Sequence, residues 1–305
     1  MKSYDLAIAW NWEYDADFIA GVEAECASAG LSTLTITPAD LPTVLHQLHG
    51  HELSFRVFFD RASDADEAFI PLSRLLAHRG THLFNHPRHI TRAVDKAIMH
   101  VELAKRGIDV PYSIIIAPYN RKKEIALSLT ALEHLGRPFI IKPANTTGGG
   151  TGVVLGAETL HEVLETRQHH KNDKYLLQET IVPAAIDGHR AWFRVFYYFG
   201  EILPCWWDDA KKLYAEMSPG QEEEHGLQYL RTVILSIQDI CKLDFFSSEI
   251  ARTAEGRYVV VDYVNEVCDM RLQSLHADGV PDPIVHRIER RLAEEVTAVV
   301  SRVHS

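Results

Sequence analysis

A run of apolar residues that ends in a lysine and then opens into clustered glycines restricts this chain more than any other stretch. The segment is Phe139-Ile140-Ile141-Lys142-Pro143-Ala144-Asn145-Thr146-Thr147-Gly148-Gly149-Gly150-Thr151-Gly152-Val153. Its opening has the aromatic and β-branched character of a strand, and a second strand follows the glycines. Gly148, Gly149, Gly150 and Gly152 permit positive φ and let backbone N–H groups come close to phosphate oxygens. Lys142 supplies a point charge for the same phosphates. Two commoner phosphate motifs are excluded. A P-loop ends in Gly-Lys-Ser/Thr, and no lysine follows these glycines. A dinucleotide fingerprint needs a third glycine where Val153 or Leu155 stands. The remaining alternative is a plain hairpin turn, which needs fewer than four glycines.

The residues before this segment alternate between two periods. Leu6 to Trp10 reads as a strand, and Asp15 to Ala29 as a helix stopped by Gly30. Ser32 to Thr37 is a strand, Pro42 to His49 a helix, and Phe55 to Asp60 a buried strand. Ala68 to His78 has helical spacing, with a further strand at Thr81 to Phe84. Strand–helix alternation predicts a parallel sheet with crossover helices, so residues 1–90 form an open α/β domain. The pattern then changes. Residues 91–181 carry a helix (Thr91 to Arg106), a strand (Tyr112 to Ala117), a helix (Lys122 to Leu135), the glycine segment, a helix (Ala157 to Gln168) and a strand (Tyr175 to Thr180). Residues 182–305 carry two hairpins, Trp192 to Trp207 turning at Gly200 and Phe246 to Tyr263 turning at Ala254-Glu255-Gly256. Helices from Leu227 to Lys242 and from Pro283 to Val303 complete the chain. The expected class is α/β and α+β: an open parallel domain followed by two α+β lobes.

The second hairpin holds the other informative residues. Glu249 and Asp262 lie on its two arms, and pairing about the turn brings them near each other across the ladder. Asp262 ends the apolar run Tyr258 to Val261, and a carboxylate so placed needs a partner. Oxygen ligands from Glu249, Asp262 and Asn265 suit Mg²⁺, which also accepts nucleotide phosphates. The alternative is a surface hairpin with ordinary acidic residues.

Composition narrows the classes. The formal net charge of −11 disfavours a nucleic-acid partner, because phosphate contacts need a Lys/Arg surplus. Cys26, Cys205, Cys241 and Cys268 are far apart and form no Cys-x-x-Cys pair, which argues against a disulfide framework and a cysteine zinc site. No stretch approaches the roughly 18 apolar residues of a spanning helix. The N-terminus lacks the apolar run of a signal peptide. A cytoplasmic protein is expected, with no membrane partner. The 17 histidines include the neighbours His46, His49 and His51, but no His-Glu-x-x-His motif. Trp10-Asn11-Trp12 ends the first strand, where open α/β sheets bind ligands; packing between domains is the competing role.

Taken together, these segments resemble the ATP-grasp superfamily over residues 1 to about 270. The resemblance is to the carboxylate–amine ligase branch, which includes D-alanine–D-alanine ligase, glutathione synthetase and the ribosomal-protein glutamate ligases. It implies two lobes that clamp ATP. Asp95-Lys96, followed by a helix and Gly107-Ile108-Asp109-Val110-Pro111, is similar to the family's first ATP lysine and the turn after it. Lys142 matches the second lysine. Gly148, Gly149, Gly150, Thr151 and Gly152 match the loop that closes over the phosphates. Leu177-Gln178-Glu179-Thr180-Ile181 resembles the hinge that reads adenine, with Gln178 or Glu179 at the exocyclic amine and the Ile181 backbone at the ring nitrogen. Asp187 falls where a ribose-binding acid often stands. Arg190 and Arg194 resemble the arginine-bearing strand, and Lys211 or Lys212 adds a phosphate contact. Glu249, Asp262 and Asn265 match the metal ligands of a site for two Mg²⁺ ions. The family spaces its last acid and amide by one residue, whereas Asp262-Tyr263-Val264-Asn265 has one more. Either a bulge restores the geometry or Glu266 shares the role of Asn265.

The resemblance implies that ATP phosphorylates a small-molecule acid and that an amine attacks the acyl phosphate, with Arg194 or Arg271 stabilising the oxyanion. The alternatives are a small-molecule kinase and a non-catalytic ATP-binding module. Family members are often dimers or tetramers, which leaves a homodimer open.

Overall fold

The computed structural model describes residues 1–125, 127–146 and 151–302. Gly148, Gly149 and Gly150 therefore lie outside the described residues.

The first strand, β1 (Lys2–Trp10), has its apolar stretch Leu6 to Ala9 fully buried. It pairs in parallel with β2 (Thr33–Ile36) on one side and β3 (Leu53–Arg61) on the other. β3 pairs in parallel with β4 (His82–Phe84), giving the order β2-β1-β3-β4. Helices α1 (Ala16–Ser28), α2 (Leu41–His49) and α3 (Ile70–His78) make the crossovers. Strands covered on both faces read as continuous apolar runs, and Val57-Phe58-Phe59 is one.

The expected single helix from Thr91 to Arg106 is two helices, α4 (Pro87–Ala93) and α5 (Lys96–Lys105). The break is Asp95, whose carboxylate accepts from the Ile98 N–H and caps α5. Next come β5 (Ser113–Ile116), α6 (Leu129–Leu135), β6 (Phe139–Pro143), β7 (Val154–Ala157), α7 (Leu160–Thr166) and β8 (Tyr175–Glu179). The strands form an antiparallel sheet in the order β5-β8-β6-β7. Helix α6 starts later than the expected Lys122 because Ser128 caps it through the Ala131 N–H.

A short hairpin, β9 (Ala185–Ile186) with β10 (His189–Arg190), leads into β11 (Trp192–Tyr198) and β12 (Glu201–Asp208). Two elements follow that the sequence pattern did not predict, β13 (Leu213–Glu216) and α8 (Pro219–Glu224). Helix α9 (Tyr229–Cys241), β14 (Phe245–Arg252) and β15 (Tyr258–Asn265) come next. The antiparallel order is β13-β12-β11-β14-β15. One face of this sheet packs on α9 and α5, with Phe193, Val195, Ile250, Val260 and Tyr263 in that core. The other face shares a core with β1, β3 and the closing helix α10 (Asp282–Arg302), which lies along α1. All four cysteines are free and buried. No helix among the described residues is long and apolar enough to cross a membrane.

A buried ion pair ties the parallel sheet to the chain after β15. Asp15 accepts from Arg61 Nε at 2.8 Å and from Nη2 at 2.7 Å. Arg61 Nη2 also donates to the Cys268 carbonyl at 2.9 Å.

Candidate active site

The five-stranded sheet lines up a rung of functional side chains. Cys205 of β12 lies opposite Arg194 of β11, Arg194 opposite Glu249 of β14, and Glu249 opposite Asp262 of β15. Directly opposed residues share a face, so Arg194, Glu249 and Asp262 project to one side of the sheet. Arg194 Nη2 sits 2.9 Å from Glu249 Oε1, and Trp192 Nε1 donates to Glu249 Oε2 at 3.1 Å. The guanidinium lies 5.2 Å from the Trp207 ring centre and donates weakly to Ser247 Oγ at 3.4 Å. Burial opposes the charge on Arg194, but Glu249 and Asp262 help hold it protonated throughout the accessible range.

Two lysines reach the same carboxylates from the neighbouring lobe. Lys96 is the first residue of α5, and its backbone N–H donates to the Ala144 carbonyl at 3.0 Å, just past β6. That bond sets the start of α5 beside the end of the strand bearing Lys142. Lys96 Nζ lies 2.9 Å from Asp262 Oδ1. Lys142 Nζ donates to the Val261 carbonyl at 3.0 Å. Burial pushes the Lys142 ammonium down to about 8, with Lys96 adding to the shift and Asp262 opposing it. Asp262 is itself deeply placed. Burial works against its ionisation, but Lys96, Lys142 and Arg194 outweigh it and hold the carboxyl well below the usual range. Three cations thus face two carboxylates within one cluster.

The additional residue between Asp262 and Asn265 is absorbed by a bulge. Ser247 lies opposite Asn265 and Glu249 opposite Asp262, so two steps on β14 match three on β15. Because Ser247 and Glu249 share a face, Asn265 joins Asp262 on it. An unbulged strand would turn it away. Glu266 goes elsewhere: its carboxyl accepts from Asn85 Nδ2 at 3.2 Å, and burial pushes it up to about 8. The oxygen set Glu249, Asp262 and Asn265 fits a hard divalent cation, and Asn265 Nδ2 is buried without a partner, so no protein contact fixes this amide's nitrogen. Among the described residues, no group of three His, Cys, Asp or Glu could hold a metal. A cation here would complete its shell with the amide, waters and phosphates.

The start of the glycine segment is anchored by Asp173. Its carboxylate accepts from Asn145 N, Asn145 Nδ2, Thr146 N and Thr146 Oγ1 at 2.8 to 3.1 Å. Thr151 and Gly152 form the turn leading to β7. Gly152 has φ +72°, and a Cβ there would lie 3.2 Å from His170 Nε2 and 3.3 Å from Pro143 Cγ. Both the backbone conformation and the close neighbours favour glycine.

The hinge residues take different surroundings. Gln178, fully buried, donates through Nε2 to the Tyr263 hydroxyl at 2.8 Å. The Glu179 carboxylate accepts from the Tyr112 N–H at 2.7 Å. Ile181 is half-buried and packs on the core beneath β1 and α10. The remaining positions lie outside the charged cluster's direct contacts. Asp187 (φ +50°) and Gly188 (φ +76°) form the turn between β9 and β10, so Asp187 has a local reason to be there. Its nearest charged partner is His225, at 3.9 Å. Lys211 is exposed and 3.5 Å from Asp208. Lys212 Nζ lies 5.8 Å from the Trp207 ring centre. Arg190 is held in two contacts by Asp209. Arg271 is paired with both Asp269 and Asp278, at 2.7 and 3.0 Å, and lies over Trp12.

Sequence reasoning passed over Trp192, Ser247, Asp173 and Tyr263. Period-two alternation on β14 places Ser247 on the face of Glu249, so that residue was accessible. Asp173 and Tyr263 act through contacts 27 or more residues away, and no local signal marks them.

No family model matches the chain, and no curated protein matches it. Solved structures do match over nearly the whole length. D-alanine–D-alanine ligase from Bacillus anthracis, complexed with ATP, is 15% identical, with 98% of this chain and 99% of that one covered at a TM-score of 0.68. A RimK domain ATP-grasp protein from Sphaerobacter thermophilus is 18% identical, with 95% and 99% covered and a TM-score of 0.63. The ATP-grasp ligase PsnB, complexed with precursor peptide PsnA2 and AMPPNP, is 16% identical, with 97% and 98% covered and a TM-score of 0.63. PsnB also gives a match as its complex with minimal precursor, Mg and ADP. The chain has the ATP-grasp fold.

Proposed function

We propose that this chain, built on the ATP-grasp fold, is an ATP- and magnesium-dependent ligase that activates a substrate carboxylate as an acyl phosphate for attack by an amine. The observation that carries the reading is the cluster itself. Glu249 and Asp262 oppose each other on one sheet, while Lys96 and Lys142 reach in from the other lobe. Such a mixed cluster suits a bound polyphosphate and a cation, since each charge has a counter-charge before and after binding. The matched structures complexed with ATP, with AMPPNP, and with Mg and ADP support the nucleotide and the ion.

In this reading Lys96 and Lys142 would neutralise the phosphates. Glu249, Asp262 and Asn265 would hold Mg²⁺, whose chemistry there would be charge neutralisation. Arg194, beside Glu249 at 2.9 Å, would offer its guanidinium to the substrate acid or the developing oxyanion. Catalysis comes from positioning and preorganised charge. Arg271 positions its segment through Asp269 and Asp278, and its paired state makes Arg194 the better contact for the acid.

The test is ADP release over a panel of small acids, each with and without an amine. ADP release that depends on both acid and amine is expected. A stable phosphorylated product formed without an amine would move the assignment to a kinase. Tight ATP binding without turnover on any acid would move it to a binding module.

A further inference from the structure

Asp and Glu outnumber Lys and Arg by 42 to 31 in this chain, yet four exposed cations gather on one rim of the antiparallel β5-β8-β6-β7 lobe. Arg121, Lys122 and Lys123 lie in the loop after β5, and Lys171 lies in the loop before β8. Lys96, Lys174, Arg194, Arg231 and Arg271 each have a carboxylate within 3.0 Å. Among the described residues, none of the four rim cations has one. The two loops are joined: Asn120 N donates to the Lys171 carbonyl at 3.0 Å, and Asn120 Nδ2 to Asn172 Oδ1 at 2.7 Å. Beneath them lies Arg167, which is wholly buried. Its Nη2 donates to the Ala117 carbonyl at 2.6 Å and the Lys122 carbonyl at 2.7 Å, and its Nη1 to the Lys123 carbonyl at 3.2 Å. A buried guanidinium is therefore spent on the backbone of one loop, which fixes that backbone while Lys122 and Lys123 stay in solvent. It also sets a fifth positive charge under the rim. Lys171 borders an open groove of about 470 Å³ that His169, His170, Asn145 and Thr146 also line. The acids of the two loops are Glu124 and Asp173, and Asp173 is buried and accepts four hydrogen bonds.

We propose that this rim docks a short acidic stretch of a polypeptide partner, its carboxylates on Arg121, Lys122, Lys123 and Lys171 and its backbone along the groove. Carboxylates are the complement of unpaired lysines and an arginine. Screening over about 8 Å at physiological salt keeps the negative charge elsewhere on the chain from a segment that ends where the patch ends. A nucleic acid suits the rim less well. Its charge runs on past the patch into the field of a chain with net charge −11. Tyr119, the aromatic ring of this loop, already has the Arg167 guanidinium 5.9 Å from its centre, so it is a poor stacking platform. The docking surface is separate from the nucleotide site, and each can fail alone.

The test is fluorescence anisotropy of a labelled peptide of alternating Glu and Gly with the full chain, at low and physiological salt. A control peptide carries Gln in place of Glu. The parent is expected to bind the Glu peptide at low salt, on the order of tenfold more weakly at physiological salt, and to leave the Gln peptide unbound. Lys122→Glu with Lys123→Glu and Lys171→Glu should weaken binding on the order of 100-fold, with the thermal melt and Mg·ADP binding unchanged. Lys122→Gln with Lys123→Gln and Lys171→Gln should fall between the two, and carries the comparison if the Glu variant does not fold. Equal binding of the Gln peptide, unchanged binding in the folded variants, or no binding of the Glu peptide at low salt overturns the proposal. Tighter binding of a single-stranded oligonucleotide of equal charge overturns it as well and moves the surface to nucleic acid. Peptide binding that is lost in the variants, beside a parent that does not bind Mg·ADP, leaves the docking surface standing and overturns the nucleotide reading.

Discussion

Replacing Asp262 by Asn should cut acid-dependent ADP release by a factor on the order of 10³. The substitution keeps the shape of the side chain and removes one of the two charges that would hold the cation. Loss of several kcal/mol of charge stabilisation at the transferring group corresponds to that factor. A second consequence has the opposite sign. Asp262 now balances Lys96 at 2.9 Å and sits in the field of Lys142 and Arg194. With an amide in its place, three cations face Glu249 alone. Metal-free ATP, measured in the presence of a chelator, should then bind more tightly to Asp262→Asn than to the parent. A variant that lost turnover through general unfolding would lose this binding as well, so the pair of measurements separates the two causes.

The largest stability effect is expected at Arg61. Its side chain is almost wholly buried, doubly bonded to Asp15 and bonded to the Cys268 carbonyl. Arg61→Ala would strand the Asp15 carboxylate, itself 1% exposed, with no counter-charge. Breaking a buried pair in this way costs about 3–5 kcal/mol. For a chain of this size that lowers Tm by roughly 10 °C. Removing both charges, as Asp15→Leu with Arg61→Met, should recover most of the loss, because an apolar pair has no uncompensated charge. Differential scanning calorimetry of the single and double variants gives the coupling directly. Additive losses would mean the pair carries little of the contact between the parallel sheet and the segment after β15.

The parallel sheet and the antiparallel hairpins were legible because each is written in a local period: continuous apolar runs for β1 and β3, and strand–turn–strand for β14 and β15. The break at Asp95 was legible in principle, since Asp at an N-cap is a local signal, but apolar spacing across it suggested one helix. β13 and α8 are only 4 and 6 residues long and lean on partners in neighbouring elements, Tyr214 on Trp207 at 4.4 Å and Glu222 on Arg231 at 2.6 Å. Hairpin symmetry put Glu249 near Asp262, and a register shift between Glu249 and Ile250 sets the two directly opposite. The bulge that carries Asn265 to their face is a backbone event that side-chain alternation does not encode. Arg194 came next to Glu249 because β11 pairs with β14 across α9, a non-sequential pairing that no local pattern states. Arg271 shows the same limit in reverse. Its sequence position points to the substrate, while its two aspartates decide how much of its charge is free.

The central claim is that the carboxylate, and not a hydroxyl, receives the phosphoryl group. Hydroxylamine intercepts acyl phosphates as hydroxamates and leaves phosphate esters untouched. The measurement is hydroxamate formation by the parent chain with Mg·ATP and the panel of acids, with no other amine present. The account predicts hydroxamate in proportion to ADP with at least one acid, and its loss in Asp262→Asn. ADP released with a phosphorylated hydroxyl product and no hydroxamate on any acid would contradict it.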